Sequence, residues 1–305
     1  MAEAEAGQPA EETPDALARA RQLLQGGRLK AALALAKAEL RENPDNSEAL
    51  YIQAVAHRYL RQARQALECL EKLKDKAPTY ARAYQEEGHN LQQLGQPQQA
   101  LAAYQRAVDL NHALIASWRE LATLHKQNGN QREFDMAQAE YARLSALPSE
   151  LVSVASLIQE GKLYRAEKLC RAFLQKTPHH VEAMRLLAML GMKLFVYDDA
   201  EFLLESCVKF APDYWLARYD YINVLHKRQK FEKALQQAKI LLDAYPDNHA
   251  FQLAYANENV AVGNFDTALE IYDRVIEKHP AFAQPCLSRG HALKTIGRLE
   301  DAIQS

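Results

Sequence analysis

The chain has 305 residues, a net charge of -2, 48% hydrophobic residues and 25% charged residues. This charge gives no overall positive field of the kind that attracts nucleic acid or an anionic membrane, so neither partner is expected. No run of 18 apolar residues occurs, which excludes an ordinary membrane-spanning helix. The first residues lack a basic segment followed by an apolar one, so we predict a cytoplasmic protein.

The N-terminal stretch is acidic. Residues 1–18 contain five carboxylates and neither Lys nor Arg. Few apolar side chains are available there to offset the entropy lost on folding. We therefore predict that residues 1–12 form a disordered acidic tail.

A fixed spacing governs the region from Gly161 to Pro280. Four prolines lie 34 residues apart, at Pro178, Pro212, Pro246 and Pro280. The turn between the two helices of each unit is expected seventeen residues before the proline. Carried through the chain in steps of 34, with one step of 32, this turn series is Gly27, Arg61, Gly95, Gly129, Gly161, Phe195, Gln229, Gly263 and Gly297. Glycine suits such a turn because it adopts positive φ without steric cost.

Five residues after each turn stands a small residue. The series is Ala32, Ala66, Ala100, Ala166, Ala200, Ala234, Ala268 and Ala302. Alanine there lets two helices approach closely, and Phe134 is the exception. Tyr84 and Trp118 occupy a large-aromatic position on their first helices, and we expect both in the core.

The period divides the chain into nine helix–turn–helix repeats. Their bounds are roughly 13–46, 47–80, 81–114, 115–146, 147–180, 181–214, 215–248, 249–282 and 283–305. The fourth repeat is two residues short, so we predict an irregular junction near residues 144–150. This junction separates repeats 1–4 (residues 13–146) from repeats 5–9 (residues 147–305), of which the last looks truncated.

A 34-residue period with a small residue inside its second helix and a proline at its end resembles the tetratricopeptide repeat. The resemblance implies an all-α fold, a right-handed α-solenoid. It also implies that the second, fifth, ninth, twelfth and thirteenth residues of each repeat point into a concave groove. From these positions we select twelve candidate ligand residues: Arg58, Arg82, Arg119, Lys126, Arg185, Met189, Met192, Lys193, Tyr219, Asn223, Lys227 and Lys294.

The charge at these positions is the sharpest functional signal. Across repeats 2–9 they hold eight basic residues against two acidic ones, Glu48 and Glu182, a net of about +6. Positive potential in a groove attracts acidic partners. The sequence thus favours an extended, acidic peptide or partner protein, although ordinary solvated charges would give the same count. Homo-oligomerisation stays open.

No motif for catalysis or cofactor binding is found. The sequence lacks phosphate-binding glycine loops, H-E-x-x-H and G-x-S-x-G, so no catalytic, cofactor-binding or metal residue is predicted. The four cysteines, Cys69, Cys170, Cys207 and Cys286, form no C-x-x-C and are expected to be buried apolar residues.

A narrower resemblance concerns the segments L-V-S-V-A-S-L-I-Q-E-G-K-L-Y-R-A-E-K-L-C-R-A-F-L, D-D-A-E-F-L-L-E-S and G-H-A-L-K-T-I-G-R-L-E-D-A-I-Q. They are similar to the N-terminal array of bacterial tetratricopeptide-repeat sulfotransferases. That resemblance implies a following domain that uses the sulfate donor PAPS, whose catalytic residues would lie outside this chain. The alternative is a stand-alone adaptor with no enzymatic domain.

Overall fold

The computed structural model describes residues 16–280 and 282–305, so the predicted acidic tail lies outside the described residues. All secondary structure in the described residues is helical, with eighteen helices, two in each predicted repeat, which confirms the all-α class. The helices are α1 (Ala16–Gln25), α2 (Leu29–Glu42), α3 (Ser47–Tyr59), α4 (Ala63–Lys76), α5 (Ala81–Gln93), α6 (Pro97–Leu110), α7 (Ile115–Gln127), α8 (Gln131–Ser145), α9 (Ser149–Gln159), α10 (Leu163–Lys176), α11 (Val181–Lys193), α12 (Tyr197–Phe210), α13 (Trp215–Lys227), α14 (Phe231–Ala244), α15 (His249–Ala261), α16 (Phe265–Lys278), α17 (Ala283–Thr295) and α18 (Leu299–Gln304).

The helices group into two compact lobes. Among the described residues, the N-terminal lobe extends to Val152 and includes Gln159–Gly161, and the C-terminal lobe comprises Ser153–Ile158 together with the described residues from Lys162 onward. Within each lobe, the second helix of one hairpin packs against the first helix of the next, as in a solenoid. The division falls inside α9, a few residues after the two-residue slip. The assignment of whole repeats to separate domains stays a prediction.

Each hairpin turn contains one residue in the left-handed region. All nine residues of the predicted turn series have positive φ, from 58° at Gln229 to 87° at Gly263. Six of the nine are glycine, while Arg61, Phe195 and Gln229 adopt the same backbone with a side chain attached. The positive φ is therefore set by the position in the repeat and not by the presence of glycine. At Arg61, Phe195 and Gln229 this backbone conformation carries a steric cost.

The predicted small residues are where the paired helices touch. Seven of the eight alanines are fully buried: Ala32, Ala66, Ala100, Ala166, Ala200, Ala234 and Ala268. Ala302 packs on the last core cluster and is partly buried. Phe134, the exception, is accommodated by packing against the cluster around Tyr104 and Leu121.

The inter-repeat turns are closed by a side chain from the next first helix. Trp118 donates its indole N–H to the His112 carbonyl at 2.9 Å, and Tyr84 donates its hydroxyl to the Pro78 carbonyl at 3.0 Å. Arg218 makes the equivalent bond to the carbonyl of residue 212. Tyr84 and Trp118 are therefore only partly buried, because the polar tip of each ring system reaches the solvent-facing turn while its body packs on the core.

Gly88 meets a fully buried ring. A Cβ at this position would lie 2.6 Å from Cε1 of Tyr104, closer than side-chain atoms normally come. We expect Gly88→Ala to lower the free energy of unfolding by about 1–3 kcal/mol, because Tyr104 has no space to withdraw. The matched change Gly290→Ala places its Cβ 3.3 Å from the Ala302 carbonyl oxygen in the partly exposed last hairpin. Urea unfolding followed by circular dichroism should show a loss for Gly88→Ala alone, and equal losses would contradict the packing argument.

Candidate ligand-binding groove

The arginines predicted to line the groove of the N-terminal lobe are engaged in ion pairs. Arg58 Nε lies 2.5 Å from Glu86 Oε2, and the Glu86 side chain is almost completely buried. Arg119 Nη2 lies 2.8 Å from Glu120 Oε1, and Arg82 Nε lies 3.3 Å from Glu160 Oε1. The positive charge of all three is therefore largely compensated within the protein.

Three of the five carboxylates that compensate the groove arginines share one repeat position. Glu86, Glu120 and Asp220 each stand at the sixth position of a repeat, immediately after a position counted as groove-lining. The sequence-based count of about +6 omitted this position and therefore overestimated the positive charge available to a ligand. The signal was present in the sequence as three acidic residues at one repeat position.

In the C-terminal lobe, Arg185 is the centre of a buried network. Its guanidinium contacts both carboxylate oxygens of Glu182 at 2.7 and 2.9 Å and Asp220 Oδ2 at 2.6 Å. Tyr214 donates its hydroxyl to Glu182 at 2.6 Å. Burial alone would disfavour the charged guanidinium, but the bonds to Glu182 and the charge of Asp220 raise the pKa of Arg185 above its ordinary value. Arg185 is only 8% exposed, so it links α11 to α13 and does not face a ligand.

The predicted lysines are placed differently from the arginines. Their side chains are exposed, and none forms an ion pair with any residue that the structure describes; they are Lys126, Lys193, Lys227 and Lys294. Lys126 lies over the Phe134 ring in the N-terminal lobe, and Lys294 belongs to α17. These four side chains hold the positive charge that remains available.

Two neighbouring first helices bring six of the predicted residues into one region. Met189, Met192 and Lys193 follow one another along a face of α11, and Tyr219, Asn223 and Lys227 do the same on α13. Met192 and Tyr219 pack against the same core cluster and are partly buried, whereas Asn223 is exposed. We call these six residues the α11–α13 groove. It combines an adaptable apolar base with an amide and two ammonium groups.

A neutral histidine in the N-terminal lobe was not predicted. His89 Nδ1 lies 2.7 Å from the hydroxyl oxygen of buried Tyr104, whose proton is donated to Gln92 Oε1 at 2.6 Å. Burial, assisted by the charge of Arg58, lowers the pKa of His89 to about 4. The imidazole is therefore uncharged near neutral pH, and it adds hydrogen-bonding capacity without charge.

Neither a metal site nor a membrane-spanning helix is found in the described residues. Within residues 16–280 and 282–305, no three His, Cys, Asp or Glu side chains are grouped to hold a metal ion. No helix there has the length and apolar character needed to cross a membrane. Cys69, Cys170 and Cys207 are buried free thiols and Cys286 is partly buried, and burial raises the pKa of Cys170 to about 12.

Comparison with known proteins identifies the repeat. Family models described as tetratricopeptide repeat match residues 48–80, 81–113 and 250–281, which correspond to repeats 2, 3 and 8. No curated protein sequence matches the chain.

Solved structures with similar helical arrays share little sequence with the chain. MamA 41-end from Desulfovibrio magneticus RS-1 is 13% identical with a TM-score of 0.46, covering 52% of this chain and 92% of that one. The P58(IPK) TPR domain is 17% identical with a TM-score of 0.30, covering 95% and 90%. Naa15/Naa10 bound to HypK-THB is 16% identical with a TM-score of 0.39, covering 92% of this chain and 45% of that one.

Removal of the Arg185 charge tests the buried network. We expect Arg185→Met to lower the free energy of unfolding by about 3–5 kcal/mol, because Glu182 and Asp220 would be left buried without a cation. Adding Glu182→Gln and Asp220→Asn to the same chain should recover part of that loss. Arg119→Met, on an exposed arginine, should cost less than about 1 kcal/mol in the same urea titration. Equal losses for the two single variants would show that Arg185 is not the centre of a network.

The neutral state of His89 predicts a dependence of stability on pH. Its folded pKa, about 4, lies below the ordinary 6.5, so the unfolded chain binds more protons between these values. Stability should therefore fall as pH is lowered from about 6.5 toward 4. Between pH 7 and pH 5 the wild type should lose roughly 2 kcal/mol more than His89→Gln in urea unfolding. Parallel pH profiles for the two proteins would contradict a depressed pKa.

Proposed function

We propose that this array of tetratricopeptide repeats is a protein-interaction module whose α11–α13 groove binds an extended acidic peptide segment of a partner protein. The observation that carries the proposal is the pair of exposed ammonium groups of Lys193 and Lys227 on neighbouring helices, neither in an ion pair with a described residue, with Asn223 exposed one turn before Lys227 on α13. The nearby arginine, Arg185, is already saturated by carboxylates, so these lysines are the cations available in this groove.

The groove matches the two kinds of group that a peptide presents. The thioether chains of Met189 and Met192 can repack around apolar side chains of different shapes, because methionine is unbranched and polarizable. The Asn223 amide offers both a donor and an acceptor to a peptide backbone. The two lysines add attraction for carboxylates, which acts over about a Debye length and weakens with salt.

The resemblance to sulfotransferase arrays extends the proposal. In that case the groove would recruit an acidic acceptor protein to a PAPS-dependent domain, and it would do so in the cytoplasm. What supports this extension is sequence resemblance and the preference of a cationic groove for acidic chains. The alternative, a stand-alone adaptor, rests on the same groove. Sulfate transfer from PAPS by the full-length gene product would separate the two.

Charge reversal in the groove is the direct test. We expect Lys193→Glu with Lys227→Glu to weaken binding of a fluorescent Glu- and Asp-rich peptide by roughly tenfold or more, since attraction becomes repulsion at two sites. The matched control is Lys176→Glu with Lys278→Glu, which makes the same change in net charge on exposed lysines that end α10 and α16. Fluorescence anisotropy at low and high salt measures both effects.

The proposal requires that the groove variant lose affinity while the control variant keeps it. If both variants lost affinity equally, the loss would come from the change in net charge and not from the position of the lysines in the groove. Equal binding of a Lys-rich peptide of the same length by the wild type would refute acidic specificity.

A further inference from the structure

A second groove lies in the C-terminal lobe, formed by α10, α11 and α12. Its walls carry Glu167 and Arg171 on α10 and Asp199 and Phe202 on α12, and side chains of α11 form its floor. The volume is 270 Å³, enough for a large apolar side chain. We call it the α10–α12 groove. None of the α11–α13 groove residues lines it.

Large apolar side chains surround this groove and remain in solvent. Phe195 is 77% exposed, Phe202 71% and Tyr164 79%, and Leu194 and Val196 are each 45% exposed. Tyr164 shares the outward face of α10 with Glu167 and Arg171, because residues three and four apart are neighbours on a helix. Leu194, Val196 and Phe202 line the groove, and Phe195 lies between the first two in sequence. Apolar concentrations of this kind mark interaction sites.

Phe195 is held in this exposed position against its own conformational preference. It occupies the hairpin turn with φ of 62°, where six of the nine repeats have glycine. A bulky residue in the left-handed region is strained. Its ring makes an edge contact with Tyr197 at 6.2 Å between centroids and is otherwise displayed to solvent. Arg61 and Gln229 share the strained backbone, but their polar side chains are readily solvated. Folding alone therefore does not account for an aromatic residue at position 195.

The two walls differ in charge, because the α10 wall carries both a carboxylate and a guanidinium whereas Asp199 is the charged residue of the α12 wall. Arg171 stands on the α10 wall, where its Nε lies 2.8 Å from Glu167 Oε1, and its side chain is 61% exposed. Asp199 stands on the α12 wall, is exposed, and makes no ion pair with any other described residue. A two-fold axis parallel to the groove would place each wall of one copy opposite the other wall of its partner. Arg171 is paired with Glu167 on its own wall, but its side chain is more than half exposed, so the carboxylate of Asp199 from a second copy can approach the guanidinium from the solvent side.

We propose that the α10–α12 groove is a self-association surface, and that two copies of this chain form a two-fold dimer through it. Phe195 and Phe202 of each copy bury against the groove of the other, and Arg171 of each copy faces Asp199 of its partner. Three aromatic side chains, each about 150–250 Å² when fully buried, supply much of the roughly 800 Å² per partner found in stable interfaces. Leu194 and Val196 add to that area.

The first experiment separates association from folding. Sedimentation velocity of the 305-residue chain across a range of micromolar concentrations should show a reversible monomer–dimer equilibrium. Phe195→Gly combined with Phe202→Gln should shift the dissociation constant upward by roughly tenfold or more, because central aromatic residues dominate interface energies. The same variant should keep its helical circular dichroism, and Phe195→Gly alone should keep or raise the melting temperature, because it relieves backbone strain.

A matched control addresses a separate exposed apolar surface of this lobe. Leu287 and Ile303, on α17 and α18, are 57% and 87% exposed and line a separate pocket. Leu287→Gln with Ile303→Gln should leave the dimer intact. Loss of the dimer in this control and its retention in the Phe195/Phe202 variant would overturn the proposal, as would a wild-type chain that stays monomeric at about 100 μM, well above the range of specific dimers.

The second experiment tests the two-fold charge pairing. Arg171→Glu and Asp199→Arg are each expected to be monomeric, because each homodimer would oppose like charges at two places. An equimolar mixture should restore the dimer, because both contacts then join opposite charges. This rescue can arise only between two chains. Two monomeric variants that stay monomeric when mixed, or two variants that dimerise as well as the wild type, would contradict the proposed geometry.

Discussion

The close approach of two helices at a fully buried alanine is the constraint on which the remainder of this structure depends. Each hairpin turns through one residue with positive φ and brings an alanine side chain against the first helix five residues later. A single hairpin of this size exposes most of its apolar face, so it is stable only when stacked on its neighbours. The helices of each lobe therefore form one continuous series of contacts, and the side chains outside those contacts are free to differ between repeats.

The repeat period made the fold predictable from the sequence alone. Turn, alanine and helix positions recur at intervals of 34 residues, and each of these features is local, so counting along the chain identifies it. The turn residues Arg61, Phe195 and Gln229 were placed correctly without glycine because their neighbours keep the period. Tyr84 and Trp118 were expected in the core and are only half-buried. Their polar tips satisfy carbonyl groups of the preceding turn, a bond that hydrophobic spacing alone does not reveal.

The candidate site was predicted less completely because its electrostatics arise between repeats. Arg58 pairs with Glu86, and Gln92 contacts Glu120, in both cases 28 residues further along the chain. A count of charges at chosen positions within each repeat assigns a cation such as Arg58 to a ligand, whereas in the fold it pairs with a carboxylate on a neighbouring first helix. Burying a charge without a partner is costly, so a carboxylate near a semi-buried arginine is engaged before any ligand arrives. The exposed lysines need no such partner. Of the predicted cations, they are the ones whose charge remains available to a ligand.

The side chains of the two grooves in the C-terminal lobe affect the stability of the fold differently. In the α11–α13 groove, the lysines and Asn223 are solvated and the methionines help to fill the core, so these residues are compatible with stability as well as binding. At the α10–α12 groove, Phe195 has an unfavourable backbone conformation that opposes the folded monomer, and its exposed ring contributes little burial to offset that cost. A residue that weakens the monomer is expected to persist where the assembled state recovers the cost. Backbone strain together with exposure, more than exposure alone, is therefore the reason for assigning an interface to this face of the repeat array.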